Sequence, residues 1–156
     1  AVELHPVPAG IKQTIFDSIS TVFGAAAKRN ISVRTAYFED IALLHDRKWT
    51  SEAITNILEN AIKYSPSDGV IDISVETLPI YTKVSITDYG MGIAPDEWNY
   101  IFKRFYRGRN AKGIDGAGLG LYLANLIFQK QGAYILVDSK PGQYTTFSVF
   151  LQNCKK

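Results

Sequence analysis

Asn56-Ile57-Leu58-Glu59-Asn60-Ala61-Ile62-Lys63-Tyr64-Ser65 is the stretch whose pattern decides the fold. Ile54, Ile57, Leu58 and Ala61 recur at helical spacing and form one apolar face. Asn56, Asn60 and Lys63 fall at i, i+4 and i+7, so they share the opposite face. Pro66 predicts the end of this helix. One side of the helix therefore belongs to a core, and the other presents two carboxamides and an ammonium. Two asparagines alone would equally fit a solvated helix face. The segments that follow change that reading.

Outward from the helix, Ser67-Asp68-Gly69 is turn chemistry. Ile71, Ile73 and Val75 alternate with Asp72, Ser74 and Glu76, the pattern of a half-buried strand. A second alternating run, with Val84 and Ile86, delivers Asp88 to a strand end. Upstream, Ile11, Ile15, Ile19 and Phe23 predict an amphipathic helix. Residues 31–38 read as a strand, 41–44 as a short apolar run, and 2–4 as a short opening strand ended by Pro6 and Pro8. Downstream, residues 106–117 carry three glycines and almost no apolar periodicity, which predicts a long mobile loop. Leu119, Tyr122, Leu123, Leu126 and Ile127 form another helical stripe, and residues 134–137 and 145–151 a closing pair of strands around Pro141-Gly142. The mixture predicts an α/β (α+β) two-layer sandwich, with one mixed, mostly antiparallel sheet covered on one face by helices.

The bulk numbers agree. A chain of 156 residues with 46% hydrophobic and 21% charged residues fits one globular domain, residues 1–156, with a full core. A net charge of +2 is too small to argue for nucleic acid or an anionic membrane. Lys103, Arg107, Arg109 and Lys112 form a basic run without an aromatic stacking platform, which also speaks against nucleic acid. The single cysteine, Cys154, suits a reducing compartment. No apolar run is long enough to span a bilayer, and there is no secretory signal pattern, so no direct membrane contact is expected of this stretch. Ala1 in the place of a methionine points to a piece of a longer chain.

Three pieces of chemistry follow in order. On the helix, a neutral amide oxygen from Asn60, with Asn56 beside it, suits Mg²⁺ that shares its shell with phosphates. Lys63 adds a cation for the phosphates, and Tyr64 an apolar ring near a base. Next, Asp88 before Tyr89-Gly90-Met91-Gly92 offers a carboxylate to the exocyclic amino group of adenine. Guanine would place a carbonyl there, and such a buried mismatch costs on the order of 1–3 kcal/mol. Gly90 and Gly92 let the backbone approach the ring. Finally, Gly116-Ala117-Gly118-Leu119-Gly120 opens a helix, and free N–H groups at a helix start bind phosphate. This helix follows a long loop rather than a strand, and Gly-Lys-Ser/Thr is absent, so it is neither a dinucleotide fingerprint nor a P-loop. Singly, each piece has an ordinary structural meaning. Their order reads as an ATP site. Between the second and third pieces, Phe102 and Phe105 flank Lys103-Arg104, an anchor and hinge for the loop, with Arg104 or Arg107 steadying phosphate or a docked partner.

Together these segments resemble the catalytic ATP-binding domain of bacterial sensor histidine kinases, in the superfamily shared with gyrase, heat-shock chaperones and mismatch-repair proteins. Residues 56–65 are similar to its N box, 88–93 to its first glycine box, 102–106 to its F box and 116–121 to its second glycine box. The resemblance covers nearly the whole chain, with residues 1–8 as a linker strand region. It implies the Bergerat-type ATP-binding fold with an ATP lid at about 106–117. It implies that Asn60 holds Mg²⁺ with Asn56 beside it, Lys63 meets phosphate, Tyr64 covers the base and Asp88 binds adenine. Gly90, Gly92, Ile93, Gly116, Gly118, Leu119 and Gly120 would line the nucleotide, and Thr146 falls where a late threonine often supports the adenine pocket. Tyr144 departs from the family, where glycine is common. The gyrase and chaperone branches carry a water-activating glutamate four residues before the metal asparagine. Here that residue is Asn56, which suits handing phosphate to an acceptor rather than hydrolysing ATP.

The implied acceptor is a histidine on a separate dimerisation domain, with a response regulator downstream and the whole on the cytoplasmic side of a membrane-bound sensor. That domain is absent from this chain, whose only histidines are His5 and His45. His45-Asp46-Arg47-Lys48-Trp49-Thr50 superficially resembles the phosphoacceptor motif, but it lacks the motif's proline and directly precedes the N-box helix, where Asp46 is expected as a cap. Two alternatives remain open: an anti-sigma-type serine kinase, and a nucleotide-binding switch module without transfer activity.

Overall fold

The computed structural model describes residues 2–108 and 118–154. In chain order the elements are β1 (Val7–Gly10), α1 (Ile11–Lys28), β2 (Ser32–Thr35), β3 (Ala42–His45), α2 (Arg47–Tyr64), β4 (Val70–Thr77), β5 (Tyr81–Asp88), a 3₁₀ turn (Pro95–Glu97), α3 (Gly120–Lys130), β6 (Tyr134–Lys140) and β7 (Tyr144–Gln152). The main sheet has the order β2-β4-β5-β7-β6. β2 runs parallel to β4 and every other pair in this sheet is antiparallel, so the sheet is mixed and mostly antiparallel, as expected. The parallel pair needs a long crossover, and α2 lies within it.

Burial alternates residue by residue along β5 and β7. Val84, Ile86, Phe147, Val149 and Leu151 turn inward and are buried under the helices. The other face carries hydroxyl pairs, Ser85 with Ser148 at 3.1 Å and Thr87 with Thr146 at 2.7 Å. Helix α2 packs between α1 and α3, with Ile54, Ile57, Leu58 and Ala61 buried. None of the helices is long and apolar enough to cross a membrane, among the described residues.

Both ends of α2 are satisfied by side chains, one from its own N-cap and one from a distant residue. At its start, Asp46 Oδ1 accepts the N–H of Trp49 at 3.0 Å, the cap expected from the sequence. The other oxygen, Oδ2, accepts the N–H of His5 at 2.9 Å, so the same carboxylate ties down the entering chain. At its end, the Arg29 guanidinium donates to the carbonyls of Ile62 and Ser65. His45 is fully buried, with Nδ1 2.9 Å from the carbonyl of Leu43 and Nε2 2.8 Å from Thr14 Oγ1. Burial lowers its pKa, and both ring nitrogens are engaged, so it is a core group and no phosphoacceptor.

The structure corrects the reading of the N-terminus. Residues 2–4 form no strand; the strand is Val7–Gly10, and Pro8 lies inside it. Proline is tolerated there because β1 pairs on one side only, with β3 in a separate two-stranded sheet. The strand read over 31–38 is confined to Ser32–Thr35, and Phe38 is buried beyond its end.

Replacing Asp46 with alanine removes a helix cap and the anchor of the entering chain together. Asp46→Ala is expected to lower stability by about 1–2 kcal/mol. In urea denaturation this reads as a lower midpoint with an unchanged slope.

Candidate nucleotide site

The polar face of α2 looks into a cavity of ≈ 250 Å³, lined from that helix by Asn56, Glu59, Asn60, Lys63 and Tyr64. From Asn56 to Tyr64 the helix rises roughly 12 Å, which sets the length of this wall. Opposite stand Asp88, Met91, Gly92 and Ile93 after β5, Thr145 on β7, and the start of α3 with Gly118, Leu119 and Gly120. Glu97, Ile101, Tyr106, Arg107, Gly108 and Leu121 also line it.

The two ends differ in chemistry. The first end lies where the start of α3 meets Asn56: a Cβ built on Gly120 would stand 3.8 Å from Asn56 Cβ. No side chain caps this helix, so its first N–H groups remain available for an anion. Among the described residues, the side chains of Asn56 and Asn60 make no hydrogen bond. Gly118 has φ +73°, and a Cβ there would come within 2.6 Å of the Tyr106 carbonyl. Only glycine joins the F-box segment to α3 in this way.

The second end lies by Tyr64 and Asp88. Asp88 is 2% exposed, and its Oδ1 accepts the N–H of Gly90 at 3.0 Å. Burial pushes its pKa up to about 6, against which the Gly90 bond acts only partly. Gly92 takes φ +72° and packs against the Lys140 carbonyl, where a Cβ would come within 2.4 Å. The loop after Asp88 is thereby locked to the β6–β7 hairpin, whose Gly142 donates its N–H to Met91 O at 2.7 Å. Ile93 donates its N–H to Ser139 Oγ at 2.7 Å. Tyr64 is half-buried, which raises the pKa of its phenol and keeps it neutral.

Of the residues singled out from the sequence, Asn56, Asn60, Lys63, Tyr64, Asp88, Gly92, Ile93, Arg107, Gly118, Leu119 and Gly120 all line the cavity. Gly90 does not line it but holds Asp88 by its N–H. Thr146 is a correction. It lies on the far face of β7, paired with Thr87, while its neighbour Thr145 stands opposite Asp88 and lines the cavity. The strand's two-residue period decides between them. Arg104 is exposed, lies 4.9 Å from the Phe105 ring and does not line the cavity, a place that fits contact with a docked partner rather than with phosphate. Gly116 and most of the expected lid fall outside the described residues. Sequence reasoning missed Glu59, Met91, Glu97 and Thr145. Glu97 is buried and accepts from the Tyr106 hydroxyl at 2.6 Å. It follows an irregular segment with no period to reveal its direction.

A carboxylate at one end, helix amides and a carboxamide at the other, and the cations Lys63 and Arg107 in the lining match a molecule with a donor-bearing base and an anionic tail. The comparisons agree with this geometry. The family described as "Histidine kinase-, DNA gyrase B-, and HSP90-like ATPase" matches residues 45–154. Sensor-like histidine kinase SenX3 of Mycobacterium tuberculosis (strain ATCC 25618 / H37Rv) is 34% identical over 139 residues, covering 88% of this chain and 34% of that protein. The present chain thus spans about a third of that relative's length. The solved structure of the mycobacterial sensor histidine kinase MprB matches with a TM-score of 0.83 at 26% identity, covering 97% of this chain and 100% of that one. A full-length ShkA structure in complex with AMPPNP matches with a TM-score of 0.82 at 22% identity, covering 100% of this chain and 33% of that one, a likeness of fold. With family, relatives and fold in agreement, this chain belongs to the histidine kinase-, DNA gyrase B- and HSP90-like ATPase family, as a catalytic ATP-binding domain of the sensor histidine kinase kind.

Proposed function

We propose that this domain binds Mg·ATP and hands its terminal phosphoryl group to a histidine on a separate dimerisation domain, in a two-component sensor kinase with a response regulator downstream. The observation that carries the reading is the two-ended cavity, with Asp88 buried at one end and the bare start of α3 beside Asn56 at the other. The membrane-bound sensor context, with this domain on the cytoplasmic side, belongs to the same proposal and is supported by the kind of protein its relatives are.

The residues fit the nucleotide. Bound ATP supplies the phosphoryl group, and Mg²⁺ supplies neutralising charge. Asn60, with Asn56 beside it, offers the amide oxygens that would hold the ion, and Lys63 and Arg107 supply positive charge for the phosphates. The N–H groups of Gly118, Leu119 and Gly120 orient the anionic tail. Asp88 accepts from the base amino group, and Tyr64 and Ile93 flank the ring. Catalysis here is positioning and charge neutralisation, and the attacking nitrogen comes from the partner domain. A carboxamide at position 56 cannot take a proton from water as a glutamate does. The isolated chain is therefore expected to bind ATP and turn it over poorly.

With γ-radiolabelled ATP and a helical-hairpin domain bearing a histidine, the expected product is acid-labile label on that domain. Acid-stable label would support a serine kinase instead, and no label a switch module. Asn60→Ala is expected to abolish the magnesium-dependent transfer, and transfer at the wild-type rate by this variant would refute the role of Asn60.

A second expectation concerns pH. The folded-state pKa of Asp88 lies near 6, above the ordinary 3.8, so the carboxylate is ionised only above that value. ATP affinity, measured by calorimetry, should fall as pH drops through about 6 because the acceptor becomes protonated. The stability of the nucleotide-free fold responds oppositely: between 3.8 and about 6 the folded state binds more protons than the unfolded one, and this group's contribution grows as pH falls. Asp88→Asn should flatten the affinity profile and weaken ATP binding about tenfold at pH 8, since an amide can turn a donor toward the base. A steep fall near pH 6 that persists in the variant would exclude Asp88 as its origin.

A further inference from the structure

Glu97 lies in the 3₁₀ turn, is 6% exposed and lines the cavity. Its turn is fixed locally: Glu97 donates its N–H to Ala94 O at 2.9 Å, and Trp98 donates its ring N–H to Ile93 O at 3.0 Å. From this fixed place Glu97 Oε1 accepts the Tyr106 hydroxyl at 2.6 Å. Tyr106 also donates its N–H to Lys103 O at 3.1 Å, and its ring stacks 6.1 Å from that of Tyr100. Directly before it, Phe105 has φ +64°, a left-handed conformation that a bulky residue rarely adopts. Such a conformation costs free energy and persists only where the surroundings hold it. On one side Phe105 donates its N–H to Gly118 O at 2.9 Å. On the other side stands the Tyr106–Glu97 bond. Directly after Tyr106, Arg107 lines the cavity. A return of Phe105 to negative φ would redirect the chain beyond it and swing Arg107 to another place.

We propose that Glu97 is a positioning residue: by accepting the hydroxyl hydrogen of Tyr106 it holds the strained backbone at 105–106, and through it keeps Arg107 where its charge meets the nucleotide's phosphates. This inference rests on the nucleotide reading above and adds the residue that sets one of its cations in place. Glu97 acts through Tyr106 and not through its own charge. By charge alone the opposite effect is expected, because a carboxylate in a cavity that takes an anion repels it, and its removal would tighten binding. The two accounts therefore differ in sign.

The test is calorimetric titration of the chain with Mg·ATP, beside NMR titration with adenosine, which carries no phosphate. Arg107→Ala and Tyr106→Phe should each weaken Mg·ATP binding about tenfold. The double variant should also lose about tenfold, and not roughly a hundredfold, because both changes remove the same contribution. Glu97→Gln keeps an oxygen for the Tyr106 hydroxyl and should bind Mg·ATP at least as tightly as wild type. Glu97→Ala has the same charge as Glu97→Gln and should bind about fivefold more weakly than it. Adenosine affinity should not follow these losses. Additive losses in the double variant, equal Mg·ATP binding by Glu97→Gln and Glu97→Ala, or a matching loss for adenosine would each overturn the proposal while leaving the ATP reading intact. A wild type that binds no Mg·ATP would overturn both. Should Glu97→Ala fail to fold, the Tyr106→Phe and Arg107→Ala cycle decides alone.

Discussion

The packing of α2 against its neighbours is the constraint on which the rest depends. Ile54, Ile57 and Leu58 are fully buried among α1, α3 and the sheet. Each such side chain contributes about 1.5–3 kcal/mol on burial, so together they fix the rotation of the helix about its axis. Once that rotation is fixed, Asn56, Asn60 and Lys63 have one direction left to face. The cavity exists because the helix's two faces cannot be exchanged without exposing its apolar stripe. Asp46 and Arg29 finish the work at the two ends, each satisfying backbone groups that the helix leaves open.

The opposite wall is built differently. It is held by short polar contacts between a loop and a hairpin. Gly92 packs on Lys140, Gly142 bonds Met91, and Ser139 bonds Ile93. Such contacts are directional, so they determine where atoms lie and which way hydrogens point. A buried carboxylate with a raised pKa is costly to keep without a partner, and that cost is what makes Asp88 a strong acceptor for any donor that reaches it. An acceptor-lined end and a donor-lined end in one cavity give a ligand a single orientation.

Much of this was legible in the sequence. The period of 3.6 identified α2 and its two faces, and the period of 2 identified β4, β5 and β7. Asp46 was recognisable as a cap from its place before an amphipathic run. These readings succeed because they depend on neighbours within one or two turns of chain. The readings that failed share a cause. The opening strand was placed at 2–4 because proline argues against a strand interior, and only the pairing of β1 with β3 on one edge shows why Pro8 is tolerated. Thr146 was singled out by resemblance, and a shift of one residue sends a side chain to the opposite face of a sheet.

The amino-acid sequence by itself determined the order of elements, the apolar face of each, and the inventory of groups available to a nucleotide: two carboxamides, a lysine, a strand-end aspartate and a glycine-rich helix start. Only the tertiary structure decided which threonine meets Asp88, that Arg104 lies outside the cavity lining, and that Glu97 joins the wall. The reason is distance along the chain. Ile93 and Ser139, whose bond ties the two sides of the base end together, are 46 residues apart, and no local pattern records a contact made across that separation.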